Sequence, residues 1–188
     1  MNIVLAASSP RRKEILARLN VPFIVDFENI IEPKYDSSTS PERYCEKLSA
    51  IKASAISSKY NDTLIIGADT IVLLDDIVLG KPNSKKEAYL TLNSLSGRNH
   101  QVITGVTIIY NDLLHTFHST TTVEFRELKD VDIQEYINSN NPYDKAGSYG
   151  IQDYSAIFVN KINGCYDNVV GFPLSRFYDE LKKINLSL

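Results

Sequence analysis

The sequence predicts one α/β domain over residues 1–188, built on a mixed sheet with flanking helices. Strand-like apolar runs alternate along the chain with segments whose apolar residues recur at helical spacing, and no repeat or linker divides them. Two long segments rich in Val, Ile and Thr, 100–110 and 115–125, are joined by a short polar link, which indicates that part of the sheet is antiparallel. With 43% hydrophobic residues, the chain is long enough to bury a substantial core.

Apolar spacing predicts the elements of the first half of the chain. The helix at 41–57 has the clearest pattern, because its apolar residues lie on one helical face, with Lys52 at the edge. That predicted face consists of Tyr44, Leu48, Ile51 and Ala55. The predicted elements are a strand at 3–6, a helix at 11–19, a strand at 23–27, an irregular segment at 28–40, the helix at 41–57, and two or three strands between 64 and 79 around a turn at Asp75-Asp76.

The second half continues the same alternation. Ser84 and Glu87 have the spacing of a capping box, which predicts a helix that runs to about Leu95. Pro173 opens a last helix, whose apolar residues recur at spacings of three and four. Between these two helices we expect strands at 100–110 and 115–125, a short helix at 130–138 and a strand at 154–163.

Composition and charge exclude several classes of protein. Lys plus Arg is 20 and Asp plus Glu is 23, a formal net charge of −3 that argues against a broad nucleic-acid surface. The chain lacks the long apolar run of a membrane span, and its N-terminus lacks the features of a signal peptide. Cys45 and Cys165 form no CxxC or zinc spacing, so a reducing cytoplasm is the expected compartment.

The segment between the first strand and the first helix is the first candidate binding site. Ser9 suits the N-cap and Pro10 the first helical position, so the free N–H groups of this helix end can face an anion. The Ser8 hydroxyl and the guanidinium groups of Arg11 and Arg12 would strengthen the binding of a phosphate. The alternative is a well-capped helix with two solvated arginines.

Three other polar positions are candidates for chemistry. Lys52 either extends along apolar surface to water or lines a cleft. Asp69 and Thr70 follow a short apolar run, and a carboxylate at the end of a strand suits metal binding or base catalysis; the alternative is an Asx-type turn. Lys81 lies in a stiff Gly-Lys-Pro loop that lacks the spacing of a Walker A motif.

A glycine-containing loop and three histidines complete the inventory. The loop 144–153, which includes Gln152, has small residues, charges and an amide, and is typical of a binding loop or of a plain connection. His100, His115 and His118 have no carboxylate or cysteine at metal-ligand spacing, and we expect structural or surface roles for all three.

Together these segments resemble the Maf family of nucleotide pyrophosphatases. They occur in the family's order and cover nearly the whole chain. One departure is Asn141-Pro142, where the family often has Glu-Pro. The matching segments are LAASSPRR (5–12), the region of Glu32, the helix that reaches Lys52, GADTIVLLDDIVLGKP (67–82), LSGRNHQVITGV (95–106), DKAGSYGIQ (144–152) and GCYDNVVGFPL (164–174).

The resemblance implies a cytoplasmic, metal-dependent and often dimeric enzyme that splits a nucleoside triphosphate into monophosphate and pyrophosphate. The glutamine of the GIQ segment, together with SPRR, is similar to the branch of the family that uses dTTP and UTP. The implied fold is an elongated α/β fold with a central cleft, similar to the inosine triphosphatases. A nucleotide-binding regulator, for instance a division inhibitor that senses nucleotide levels, is the alternative, and turnover distinguishes the two.

The resemblance also implies roles for individual residues. Asp69 matches the catalytic carboxylate that would deprotonate the attacking water. Glu32 and Asp69 would hold Mg²⁺ or Mn²⁺ together with phosphate oxygens. The implied substrate-binding and specificity positions are Ser8, Ser9, Arg11, Arg12, Lys52, Thr70, Lys81 and Gln152.

Overall fold

Seven strands form one mixed sheet in the computed structural model, which describes residues 1–188. They are β1 (Asn2–Ala6), β2 (Ile24–Val25), β3 (Thr63–Leu74), β4 (Ile77–Leu79), β5 (Asn99–Tyr110), β6 (Leu113–Phe125) and β7 (Val159–Asn163). The strand order is β2-β1-β3-β5-β6-β7, with β4 paired to β3. Strand β1 runs parallel to β2 and β3, whereas β4 is antiparallel to β3 and β7 to β6. The predicted mixed α/β class is confirmed.

Six α-helices and two short 3₁₀ helices connect the strands. The α-helices are α1 (Pro10–Ala17), α2 (Pro41–Ser57), α3 (Lys85–Leu95), α4 (Asp130–Ser139), α5 (Tyr166–Val170) and α6 (Leu174–Lys183), and the 3₁₀ helices span Ala146–Ser148 and Tyr154–Phe158. The expected cap of α3 is confirmed, because the Ser84 hydroxyl accepts a hydrogen bond from the Glu87 N–H at 3.2 Å. None of these helices combines the length and the apolarity that a bilayer span requires.

The chain divides into two compact units. The first unit comprises residues 1–69, 104–119 and 171–188, and the second comprises residues 70–103 and 120–170. The first unit contains a core of Val4, Ala6, Ala53, Ile56 and Ile65. The second unit has a larger core that includes Leu92, Phe125, Ile133, Tyr136 and Phe158. The expectation of a single domain with a cleft stays a prediction.

Two glycines bring helix α2 against the sheet within the first unit. A Cβ at Gly67 would lie 2.3 Å from the Ser49 carbonyl oxygen, and a Cβ at Gly105 would lie 2.5 Å from the Cys45 carbonyl oxygen. Because only glycine permits such an approach, the backbone of α2 touches β3 and β5 directly. The Cys45 thiol completes this contact, since it donates to the Asp69 carbonyl at 3.1 Å and accepts from the Gly105 N–H at 3.0 Å.

The buried face of α2 differs from the predicted one. Its buried residues are Cys45, Leu48, Ser49, Ala53 and Ile56, so only Leu48 of the predicted face is fully buried. The true face is rotated by roughly 100°, the angle of one residue. The close helix–sheet approach explains the rotation, because it puts the small residues Cys45, Ser49 and Ala53 against the sheet and leaves Tyr44 and Ile51 only partly buried. Lys52 therefore lies on the buried face, not at its edge.

The segment after the glycine-containing loop is also different from its prediction. Residues 154–158 form a 3₁₀ helix, and the strand that we expected over 154–163 begins only at Val159. The Asp153 side chain accepts from the Ser155 N–H at 3.2 Å, and the Ser155 hydroxyl donates to the Gly150 carbonyl at 2.9 Å. These short-range hydrogen bonds close a turn where apolar content alone suggested extended chain. Helix α5 was not predicted, because its five residues are too few to show a helical period.

Candidate functional site

Asp69 lies in the middle of β3, not at a strand end as the sequence suggested. Its neighbour β1 stops earlier, since the last β1–β3 pair joins Ala6 to Gly67. Residues 67 and 69 share one face of the strand because side chains alternate along it. That face is the one against α2, so the Asp69 carboxylate is directed at the helix and is largely buried.

The Lys52 ammonium bridges two carboxylates. It forms an ion pair with Asp69 and another with Glu32, the latter at 2.8 Å. We call Glu32, Lys52 and Asp69 the carboxylate–lysine cluster. The side chains of Lys52 and Asp69 are 19% and 11% exposed, so water screens this pair far less than a surface ion pair. The structure thus brings together three of the residues predicted from the sequence.

Glu32 lies in an irregular segment, whereas Asp69 lies in a strand. Residues 28–40 contain no helix or strand, and the neighbouring Ile31 exposes 98% of its surface. One anchor of this segment is Tyr44 on α2, whose hydroxyl donates to the Pro33 carbonyl at 3.0 Å. The pKa of Tyr44 is raised by burial and by the negative charges of Asp69 and Glu32. The sequence missed Tyr44 as a site residue, because the helical pattern assigned it to an apolar face.

Arg12 adds a second positive charge near the cluster. Its Nε donates to the Gly171 carbonyl at 2.9 Å, which fixes the plane of the guanidinium. Burial lowers the pKa of Arg12, while the carboxylates of Asp69 and Glu32 oppose that effect. Arg12 nevertheless keeps its positive charge, because the guanidinium group of arginine is not deprotonated in proteins.

The other residues of the first segment lie at the start of α1. Ser9 occupies the N-cap position and Pro10 the first helical position, as predicted, but the Ser9 side chain makes no capping hydrogen bond. Ser8 is exposed, and Ser9 and Arg11 are partly exposed. The N-terminal N–H groups of α1 are therefore not capped by this hydroxyl, and the turn retains its capacity to bind an anion.

The remaining predicted residues belong to the second unit. Thr70 follows Asp69 in β3, and the exposed Lys81 follows β4 in the Gly-Lys-Pro loop. Gln152 is exposed in the turn between the two 3₁₀ helices. The predicted roles of these three residues in binding substrate stay predictions.

The same unit contains a buried lysine that sequence reasoning overlooked. Lys145 Nζ donates to the Asn141 carbonyl at 2.6 Å and to Asp144 at 2.9 Å, and it lies 3.5 Å from Asp153. The available signal was a lysine that directly follows Asp144 in a glycine-containing loop. Asn141 stands where the family often has Glu, but it binds Lys145 through its backbone carbonyl. This contact therefore does not depend on which side chain occupies position 141.

Each histidine forms a hydrogen bond inside its own unit. Burial lowers the pKa of His100 to about 4, so this side chain is neutral at pH 7. The three hydrogen bonds are His100 to the Tyr149 hydroxyl at 2.7 Å, His115 to Glu180 at 2.8 Å and His118 to Glu46 at 2.8 Å. Such contacts match the structural roles expected for all three.

The carboxylate–lysine cluster has oxygen ligands of the kind that a divalent cation such as Mg²⁺ takes, but not a complete protein cage. The structure has no group of three or more His, Cys, Asp or Glu residues that could hold an ion. It does offer two convergent carboxylates, Glu32 and Asp69. Mg²⁺ is typically bound by one or two carboxylates together with water and substrate phosphates.

Comparisons with known proteins agree with the motifs. The family model described as Maf-like protein matches residues 2–184. A dTTP/UTP pyrophosphatase from Ruminiclostridium cellulolyticum is 46% identical over 186 residues, which cover 98% of this chain and 96% of the relative. Proteins with the same name from Bacillus anthracis and Clostridioides difficile are 45% and 43% identical, covering 99% and 97% of this chain and 97% and 95% of the relatives.

Two solved structures show a more distant similarity. The Staphylococcus aureus Ham1 protein aligns with a TM-score of 0.48 and 16% identity, covering 66% of this chain and 72% of that one. A nucleoside-triphosphatase / dITP/XTP pyrophosphatase from Mycobacterium abscessus aligns with a TM-score of 0.46 and 13% identity, covering 66% and 73%.

Proposed function

The chain belongs to the Maf family, and we propose that it hydrolyses dTTP and UTP to the monophosphate and pyrophosphate. One structural observation carries the proposal: Lys52 bridges Glu32 and Asp69 next to Arg12. This arrangement supports the proposal, because a largely buried carboxylate lies beside charged side chains of the kinds that bind phosphate and cations. The names of the relatives at 43–46% identity over nearly the whole chain support the same substrates.

The proposed chemistry is an in-line attack of water on the α-phosphorus. Asp69 accepts the proton of the attacking water, the bond from the α-phosphorus to the bridging oxygen breaks, and pyrophosphate leaves. Arg11 and Lys52 bind the phosphoryl oxygens, and the helix α1 N-terminus adds N–H donors. The Cys45 thiol beside Asp69 is buried and bonded to backbone groups, so direct attack by water is favoured over a covalent intermediate on this residue.

A divalent cation is part of this proposal. Glu32 and Asp69 would hold Mg²⁺ or Mn²⁺, which would neutralise negative charge on the phosphoryl oxygens. The residues of the chain have three roles in the proposed reaction. Asp69 holds the proton, Lys52 and Arg11 orient the phosphates, and Tyr44 keeps the Glu32 segment in place.

The proposed preference for dTTP and UTP rests on Arg12 and Gln152. A glutamine amide pairs with uracil or thymine, but after rotation it pairs equally well with cytosine. A guanidinium only donates, so Arg12 directed at O4 would fit uracil and oppose the 4-amino group of cytosine. Since Arg12 Nε already donates to Gly171, any contact with the base would come through the Nη atoms. On the family resemblance, Gln152 is the second predicted specificity residue, and Thr70 and Lys81 are predicted to bind the phosphates.

Pyrophosphate release from dTTP, UTP, CTP and GTP, measured with Mg²⁺ or Mn²⁺, tests this function. An unmatched polar group costs about 1–3 kcal/mol, so kcat/KM for CTP should be roughly 5- to 150-fold below that for UTP. Equal use of UTP and CTP would contradict the base assignment. Tight binding of dTTP without pyrophosphate release would instead indicate a nucleotide-sensing regulator.

We also propose a cytoplasmic homodimer, on the family resemblance. Size-exclusion chromatography with light scattering tests the oligomeric state: a mass near twice 21.1 kDa supports a dimer, and a mass near 21.1 kDa contradicts it. Cell fractionation tests the location. A nucleic-acid partner is not proposed, because the net charge of −3 gives no general attraction to a polyanion.

A further inference from the structure

Both carboxylates proposed as cation ligands are already bonded to one ammonium group. Lys52 Nζ lies 2.8 Å from Glu32 and forms a second ion pair with Asp69. The lysine emerges from the buried face of α2, where the backbone contact with β3 fixes its starting point. The same carboxylates therefore have two possible cationic partners, one built into the chain and one from solution.

The charges make simultaneous binding unfavourable. Glu32 and Asp69 contribute two negative charges, and Lys52 and Arg12 contribute two positive ones, so the group is close to neutral. A divalent ion bound by both carboxylates would lie close to the Lys52 ammonium, and water would screen their repulsion only in part, because the side chains of Lys52 and Asp69 are 19% and 11% exposed. The four-carbon stem of lysine is flexible, so the ammonium can move away at lower cost than the strand-bound Asp69.

We propose that Lys52 competes with the divalent cation for Glu32 and Asp69, and that cation binding releases its ammonium to the substrate phosphates. The second half of the proposal depends on the proposed function, whereas the competition itself does not. A triphosphate supplies negative charge that attracts the released ammonium. Cation and nucleotide therefore strengthen each other's binding, as linkage requires.

Removal of the lysine should have opposite effects on cation binding and on catalysis. In Lys52→Met both carboxylates lose their internal partner, and the substrate-free protein should bind Mn²⁺ roughly ten- to hundredfold more tightly, the equivalent of one charged hydrogen bond. The same variant should release pyrophosphate more slowly. Lys52→Arg keeps the charge and should bind Mn²⁺ about as weakly as the unmodified chain.

The binding experiment uses the full chain without nucleotide, and electron paramagnetic resonance measures the free Mn²⁺. Lys59→Met is the matched control, because Lys59 also bridges two carboxylates, Asp26 at 3.3 Å and Glu28 at 2.6 Å. That pair is more exposed, so its gain in Mn²⁺ affinity should be much smaller. Adding Asp69→Asn to Lys52→Met should abolish the gain.

Several outcomes would overturn the competition. Unchanged or weaker Mn²⁺ binding by Lys52→Met would show that the lysine supports the cation site, and an equal gain in Lys59→Met would make the effect unspecific. If Lys52→Met is unfolded without metal, recovery of cooperative thermal unfolding on adding Mn²⁺ supports the proposal, and no recovery contradicts it. Because Mn²⁺ binding is read without turnover, it remains informative even if no nucleotide is hydrolysed.

A nonhydrolysable α,β-methylene analogue of dTTP tests the second half of the proposal. Mn²⁺ should strengthen the binding of this analogue more in the unmodified chain than in Lys52→Met, which has no ammonium to release. Equal strengthening in both proteins would contradict the release of Lys52 to phosphate. Absence of analogue binding in the unmodified chain, with the Mn²⁺ gain of Lys52→Met intact, would contradict the proposed function and leave the competition standing.

Discussion

Replacing Gly67 with alanine tests whether the direct contact between α2 and β3 holds the carboxylate–lysine cluster together. A Cβ at position 67 would lie 2.3 Å from the Ser49 carbonyl oxygen and 2.8 Å from the Ala53 nitrogen. Ordinary contact requires about 3.5 Å, so helix and strand must separate by about 1.2 Å. Both clashing atoms belong to the backbone of a helix, and no side-chain rotation can relieve the overlap.

The expected loss of stability follows from this overlap. Overpacking of a core costs about 1–3 kcal/mol, and we expect the upper end because backbone must move. Removing a glycine from the unfolded chain returns about 0.4–1 kcal/mol, which only partly compensates. For a chain of this length a net loss of about 2 kcal/mol lowers Tm by about 4–8 °C. The activity should fall further, because Lys52 on α2 and Asp69 on β3 move apart together with the helix and the strand.

Urea unfolding and kcat, measured where both proteins are fully folded, separate the two effects. Gly80→Ala is the matched control, because nothing lies within 4 Å of a Cβ built there. That variant should keep its activity and should lose no unfolding free energy, with a gain of up to about 1 kcal/mol expected from the unfolded chain. An unfolding free energy of Gly67→Ala within about 0.5 kcal/mol of the unmodified chain would refute the reasoning, since that is the range of neutral surface changes.

Three further predictions concern single side chains. Asp69→Asn should lower kcat by about 10²–10⁴-fold while calorimetry shows nucleotide binding retained, and a loss below tenfold would rule out Asp69 as the base. Tyr44→Phe should loosen the Glu32 segment and so weaken the activation of pyrophosphate release by Mn²⁺. Tyr60→Phe is its control, because it removes a hydroxyl hydrogen bond to Asp26 in the same unit and should leave this activation unchanged. Burial raises the pKa of Glu180, but a lysine and a histidine lower it by more, so its net pKa is below the ordinary value. The ionised Glu180 therefore stabilises the fold above the unfolded-state pKa, near 4.3, and this stabilisation is lost as the pH falls through the lower folded-state pKa. Glu180→Gln should be less stable than the unmodified chain at pH 7. Unfolding curves at decreasing pH should show the two unfolding free energies converging.

The sequence predicted the fold class and most elements because their signals are local. Turns such as Asp75-Asp76 and the cap at Ser84 depend on residues close together in the chain, and both are present in the structure. The 3₁₀ helix that begins at Tyr154 was missed because three residues, Gly150, Asp153 and Ser155, close it through hydrogen bonds that apolar spacing does not encode.

The candidate site was identified by motif resemblance, but its geometry was not. The position of Lys52 could not be read from helical spacing, because the buried face of α2 is set by glycines in β3 and β5, far away in sequence. For the same reason, nothing in the sequence paired Lys52 with both Glu32 and Asp69. Tyr44 was assigned to the core, since a tyrosine in an apolar stripe gives no sign that its hydroxyl reaches a distant carbonyl.

The two acidic members of the cluster differ in how firmly the chain holds them. Asp69 belongs to a central strand, and its own carbonyl accepts a hydrogen bond from the Cys45 thiol. Glu32 extends from an irregular, solvent-facing segment. Insertions or substitutions within 28–40 can therefore shift one ligand of the proposed cation without disturbing the proposed base. In this arrangement the preference for a cation and the hydrolysis step can change independently during evolution. A protein engineer could alter the cation preference while leaving the hydrolysis step intact.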